Sequence, residues 1–167
     1  MSSIRDATAR DVPALADLWD QAWQSSHAGL VPADLLPHRN RESFRRRLER
    51  MVGRIRLAEA PDGAPLGFCV IDSAGQGEID QLFVTAAAQG TGVAQALLAD
   101  GEARLAAAGC SRPRLLCTQG NRRAERFYAR NGWTSLGPRQ VPVTTDDGDM
   151  PLTCLIFEKD LEALPAA

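Results

Sequence analysis

The sequence predicts an α+β protein built on one mixed β-sheet. Three observations point there. Apolar runs of strand length alternate along the chain with runs of helical spacing. The tripeptide Pro61-Asp62-Gly63 is a turn signal between two strand-like runs, as in an antiparallel hairpin. A helix-length segment from Gly92 to Ala107 separates two short strands, so the connection is a crossover and those strands run parallel. Counting elements gives a central sheet of about six to seven strands flanked by about four helices.

The elements follow in order. Ile4 to Ala7 reads as a first strand, after which Asp11 can cap a helix whose apolar face carries Leu15, Leu18, Trp19 and Ala22. Pro13 falls in its first turn, where a missing N–H is harmless. Trp19 and Trp23 are four apart on one face and read as core. Gly29, Pro32 and Pro37 make Ser25 to Arg41 an irregular or short-helical connector, in which His38 faces solvent. In the helix from Glu42 to Met51, Phe44, Leu48 and Met51 face inward, and the arginines of RRRLER form a solvated face. A minor alternative gives that patch a local role toward an acidic substrate or a cofactor phosphate.

Arg54 to Ala60 and Leu66 to Ser73 are the hairpin strands, and Glu78 to Val84 is a third strand. The next helix carries Val93, Leu97 and Leu105 inward and stops at Gly109, a C-cap residue. Arg114 to Thr118 is a strand, and Asn121 to Arg130 is a helix ended by Asn131-Gly132. Leu152 to Glu158 is a closing strand, with 137 to 150 expected as a loop and Asp146, Asp147 and Asp149 as a solvated acidic turn.

Composition narrows the function classes. The 167 residues suit one domain spanning 1–167. A formal net charge of -2 predicts no bulk attraction to nucleic acid or to an anionic membrane. No apolar stretch approaches the roughly 20 residues that cross a bilayer. Cys69, Cys110, Cys117 and Cys154 are scattered without metal-ligand spacing, so free thiols and a reducing cytoplasm are expected.

The most informative stretch is the strand EIDQLFV feeding through a short loop into QGTGVAQALL. A helix start presents unpaired N–H groups and the positive end of the helix dipole, which together hold phosphate oxygens. Gly90 and Gly92 let a diphosphate lie against the main chain. Alone, such a loop serves equally as a plain turn. About thirty residues later comes NRRAERFYARNGW, with Ala124, Phe127 and Tyr128 at helical spacing.

These two segments, in this order, resemble the GNAT superfamily of acyl-CoA-dependent N-acetyltransferases. The family's loop pattern Q/R-x-x-G-x-G/A is met by Gln89, Gly92 and Ala94. Its helix pattern NxxAxxFYxxxGF is met by Asn121, Ala124, Phe127, Tyr128 and Gly132, with Trp133 in place of Phe. The run WQSSHAGLVP from Trp23 to Pro32 resembles one bacterial branch, in which relatives often carry an aromatic at the position of His27.

The resemblance implies a GNAT-like fold whose parallel strands splay into a slot for acetyl-CoA as co-substrate, chemistry that requires no metal. Main-chain groups of Leu82, Phe83 and Val84 would bond the pantetheine arm and polarise the thioester. Gly90, Thr91, Gly92, Val93, Ala94 and Gln95 would hold the diphosphate, with Thr91 otherwise a loop residue. Asn121 would bond pantetheine, cap its helix, or do both, while Ala124 and Phe127 come with the motif and Phe127 also reads as core. Tyr128 matches the tyrosine beside the CoA sulfur, and its ordinary pKa near 10 keeps a proton available for the departing thiolate.

An amine acceptor arrives as ammonium, so a base is needed. Glu78 matches the base of the histone-acetyltransferase members, with acceptor binding or a solvated strand-end charge as alternatives. By two-residue alternation Asp80 shares its face and is a partner or substitute. Leu116 stands where relatives that acetylate protein N-termini place Glu. His27 would relay a proton or contact the acceptor, or line the pocket without chemistry. The acceptor is a small-molecule or peptide amine, a homodimer stays open, and an acyl-CoA-binding regulatory module without turnover is the alternative function.

Overall fold

The computed structural model describes residues 1–162; the last five residues of the expected 1–167 domain lie outside them. Seven strands form one sheet: β1 (Ser3–Asp6), β2 (Ile55–Glu59), β3 (Pro65–Asp72), β4 (Glu78–Val84), β5 (Arg114–Thr118), β6 (Thr134–Thr145) and β7 (Gly148–Glu158), in spatial order β1-β2-β3-β4-β5-β7-β6. Every neighbouring pair is antiparallel except β4 and β5, which the crossover helix makes parallel. Four α-helices cover it: α1 (Val12–His27), α2 (Arg41–Met51), α3 (Val93–Ala107) and α4 (Arg122–Arg130).

Two apolar cores fill the two faces. On one, Leu15, Trp19 and Trp23 of α1 and Phe44 and Leu48 of α2 pack on Leu57, Phe68 and Val70, with Trp19 stacked on Phe44 at 4.6 Å. On the other, Leu97, Leu98 and Leu105 of α3 pack on Cys69, Ile79 and Leu115 with Tyr128 of α4. All four cysteines are buried free thiols. Among the described residues no helix is long and apolar enough to cross a membrane.

Glycines mark the helix ends where the sequence places them. Gly132, at φ 86°, lets Trp133 N–H donate to the Tyr128 carbonyl and Gly132 N–H to that of Ala129, which stops α4. Three expectations change. Asp11 does not cap α1, because a 3₁₀ turn over Ala9–Asp11 comes first; its carboxylate accepts from Thr8 N–H at 2.7 Å and from Arg5 at 2.9 Å. The expected loop 137–150 forms the arms of a long hairpin, with Pro142 opposite Pro151. Prolines are tolerated there because β6 is an edge strand and the part of β7 before Cys154 pairs only with β6. Nor is His38 turned to solvent, for it lines the cavity between α2 and that hairpin.

Candidate active site

One extra residue opens the sheet. β3 and β4 align with Val70 opposite Gln81 and Ile71 opposite Ile79, so Asp80 is a β-bulge. A bulge bends its strand and increases the local twist. β4 pairs with β5 only at Glu78–Arg114 and Ile79–Leu115, immediately before the bulge. Beyond it the parallel strands diverge, and the β5-facing main-chain groups of Leu82, Phe83 and Val84 have no partner strand.

The bulge also resets the faces of β4. Alternation alone puts Glu78, Asp80 and Leu82 together. Instead Ile79, Leu82 and Val84 pack beneath α3, while Phe83 packs on the α1 and α2 side. The register places Glu78 on Phe83's face, and Glu78 and Asp80 both line the cavity there.

Between the splayed strands lies a slot of about 590 Å³. Its walls include Leu82, Phe83 and Val84 of β4, Gln89, Gly90, Gly92, Ala94 and Gln95 of the loop and α3, and Asn121, Ala124, Phe127 and Tyr128 of α4. Gly92 caps α3 at φ 89° and ψ -3°, a conformation that other residues rarely adopt. Among the described residues no main-chain carbonyl accepts from the amides of Gly90, Gly92, Val93, Ala94 or Gln95, leaving them free for an anion. Two expected loop residues sit differently. Thr91 turns both its hydroxyl, at 2.5 Å, and its amide, at 3.2 Å, to the Ala88 carbonyl, and the Val93 side chain is buried in the core, so of the two only the Val93 amide is free.

Asn121 caps α4 by accepting from Ala124 N–H at 3.3 Å, which leaves its side-chain N–H groups toward the slot. Tyr128 lines the slot from the far wall, and burial raises its phenol pKa above the ordinary 10. It is therefore protonated at neutral pH. Burial, with Glu125 nearby, pushes the Cys117 thiol on the same wall up to about 12, so it is no thiolate nucleophile.

A second cavity of about 740 Å³ lies between α2, the β6–β7 hairpin and β4. It meets the slot at His27, Asp80, Gln81, Phe83, Leu116 and Thr118, which line both. Burial, then Asp80 and Asp72, raises the Glu78 carboxyl to about 7, against the opposing pull of Arg54. Asp80 accepts from Gln81 at 3.2 Å and lies 3.7 Å from the Arg54 guanidinium. His27 ends α1 stacked on Trp23 at 5.5 Å, with Nδ1 2.6 Å from the Ser26 hydroxyl. Burial lowers its pKa to about 4, so its ring is neutral.

Sequence reasoning missed several lining residues. Arg123 donates to Gln89 and lines the slot with Arg130, both on α4. The spacing of Arg123, Arg126 and Arg130 was the available signal for a cationic helix face. Arg39 and Arg47 line the second cavity. Among the described residues no group of three or more His, Cys, Asp or Glu side chains could hold a metal ion.

Comparison with known proteins gives this geometry a context. No curated protein matches the sequence. Among solved structures, the PaiA N-acetyltransferase of Thermoplasma acidophilum in complex with coenzyme A is 20% identical with a TM-score of 0.76, covering 96% of this chain and 99% of that one. A GCN5-related N-acetyltransferase from Rhodopseudomonas palustris is 18% identical with a TM-score of 0.73, covering 96% of each. N-acetylglutamate synthase from Neisseria gonorrhoeae, with coenzyme A and N-acetylglutamate, is 24% identical with a TM-score of 0.69 over 96% of this chain and 35% of that one. At such identities the likeness shows the fold alone. The sequence profile of the acetyltransferase (GNAT) family matches residues 13–133, well over half of the protein. The chain therefore belongs to the acetyltransferase (GNAT) family, the acyl-CoA-dependent enzyme class expected from its two motifs.

Proposed function

We propose that residues 1–167 form one N-acetyltransferase domain that moves an acetyl group from acetyl-CoA to a primary amine by direct attack in a ternary complex. The observation that carries this reading is the junction of the two cavities at the β4 bulge, which lets donor and acceptor be held at once. Acetyl-CoA as donor is supported by the family and by the coenzyme A in the Thermoplasma and Neisseria structures. The free amides of Gly90 and of Gly92 to Gln95 take the diphosphate, and the unpaired edge of β4 takes the pantetheine arm.

The amine lone pair attacks the thioester carbon. Charge builds on the carbonyl oxygen, where main-chain N–H groups of Leu82 to Val84 stabilise it. The C–S bond then breaks, the electron pair leaves on sulfur, and the nitrogen releases its second proton to water, from which the free thiolate takes one up. Full proton transfer from a phenol above 10 to a thiolate of ordinary pKa near 8.5 is uphill. Tyr128 therefore acts by donating a charge-assisted hydrogen bond as the thiolate develops. Glu78 lies four residues before Leu82, about 13 Å along the strand, so it accepts the ammonium proton through water. Asp80, about 7 Å away on the same measure, is the relay between them. His27, neutral at the junction, contacts the acceptor.

The test is acetyl-CoA consumption over an amine panel, with acetyl-CoA binding measured in parallel. Tyr128→Phe lowers kcat by about tenfold to a hundredfold, the value of one hydrogen bond to a charged group, and leaves acetyl-CoA affinity unchanged. Tight acetyl-CoA binding with no turnover of any amine would instead identify an acyl-CoA-binding module.

A further inference from the structure

The arginines of α2 divide by partner. Arg45 bonds Glu42 and Glu49, and Arg46 bonds Asp146 at 2.6 Å. Arg47 has no such partner: among the described residues its guanidinium makes no hydrogen bond or ion pair, and its carbon lies 4.5 Å above the Trp19 ring. Burial, then the neighbouring Arg39, lowers its pKa to about 10, so it remains a cation at neutral pH. Arg39 is itself 6% exposed and donates only to the carbonyls of His38 at 3.2 Å and Thr144 at 3.0 Å. Both arginines line the second cavity.

Two neighbouring cations, Arg39 buried and Arg47 partly so, that feel Asp146 and Asp80 only at a distance are costly because each loses hydration and they repel. Arg56, buried on the opposite face, shows the contrast, for it is held by Asp100 at 2.8 Å and Asp6 at 2.7 Å. The opposite wall of the cavity carries Glu78 and Asp80 on β4. The cavity thus carries Asp80 where it opens on the slot with Glu78 on the same wall, and toward α2 the guanidinium groups of Arg39 and Arg47, which no acid contacts because Asp146 is taken by Arg46.

We propose that the acceptor is a zwitterion of the α-amino acid type: an amine whose own oxyanion, a carboxylate or phosphonate, is bound by Arg47 with Arg39 while the amine points to β4. This rests on the acetyl-transfer reading above. Arg47 presents a fork that matches two oxygens at once, and its charge is desolvated before the ligand arrives. A linear polyamine would place a second cation against the same arginines and is disfavoured. The phosphates of the donor lie elsewhere, because the amides that suit them line only the slot.

The experiment pairs each of a set of α-amino acids with its carboxamide and its aminophosphonate counterpart, beside linear polyamines, in the acetyl-CoA consumption assay. The acids or phosphonates exceed their carboxamides in kcat/KM by at least about tenfold, and the ratio between the two anions identifies the oxyanion preferred. Arg47→Met keeps the apolar stem over Trp19 but removes the fork. It raises KM for the anionic amine about tenfold to a hundredfold, with an unchanged dissociation constant for acetyl-CoA and a thermal midpoint equal to or above the parent's. Arg47→Lys recovers part of the loss. Carboxamides or polyamines used as well as the acids, or an anion preference that survives Arg47→Met, would overturn the proposal. If no amine is turned over, the same set titrated into CoA-saturated protein reads the same preference: Arg47-dependent anion binding keeps this inference while the acetyl-transfer reading falls, and its absence ends both.

Discussion

Glu78 offers the sharpest test of the site's electrostatics, because its burial should make the protein less stable where it makes it active. Burial, then Asp80 and Asp72, lifts its carboxyl from an ordinary 4.5 to about 7. Between those values the native state holds a proton that the unfolded chain has released, so stability falls as pH rises through that window. The full gap corresponds to about 3 kcal/mol at about 1.4 kcal/mol per pH decade. The group is half-buried and water screens part of this, leaving about 1–2 kcal/mol. Glu78→Gln keeps the shape and removes the charge. At pH 4, below both values, the carboxyl is largely neutral in native and unfolded chain alike, and variant and parent should melt together. At pH 8 the variant should melt about 2–8 °C higher, while its kcat/KM loses the rise through about pH 7 that the parent shows. A variant that melts lower at pH 8, or by the same difference at both pH values, would mean that burial does not dominate at Glu78.

Two further outcomes follow from the same geometry. Gly92→Ala places a side chain at φ 89°, where space is open but the conformation is strained. Relaxation of the loop should cost about 1–2 kcal/mol of stability and weaken acetyl-CoA binding by about fivefold or more, read by calorimetric titration. Glu102 is buried between Trp133 Nε1 at 2.8 Å and Lys159 Nζ at 2.9 Å. Glu102→Ala strands the ammonium and should cost about 3–5 kcal/mol, whereas the pair Glu102→Ala with Lys159→Met should recover much of that in a denaturant titration.

Much of the fold was legible because its signals are local. Gly92, Gly109 and Gly132 adopt positive φ at the helix ends where the sequence puts them, and Pro61-Asp62-Gly63 joins β2 to β3 as a turn should. The hairpin at 134–158 was hidden by Pro138, Pro142 and Pro151, which argue against a strand unless its partners are known. The slot followed from the motifs, but its cause did not. In EIDQLFV the inward spacing is three residues from Ile79 to Leu82 and then two to Val84, a bulge signal that the apolar Phe83 masks. Arg47 was hidden for another reason. It lies three residues after Phe44 and one before Leu48, at the margin of the inward stripe, and a run of charge there reads as solvated until the packing on Trp19 and the absence of an acid are seen.

The bulge at Asp80 ties the two halves of the site to one residue. It ends the β4–β5 ladder after Ile79, which exposes the main chain that would take the donor. It reverses the phase of β4, so Leu82 and Val84 anchor the slot wall under α3 while Glu78 and Phe83 face the acceptor side. Asp80 itself lines both cavities. Were Asp80 paired as a regular ladder residue, alternation would put Glu78 on the same face as Leu82 and continue the ladder toward Val84, closing the slot and turning the base away together. The constraint at this strand therefore lies in pairing register as much as in residue identity, and the acceptor chemistry is set separately at α2 and the residues just before it, where Arg47 and Arg39 lie.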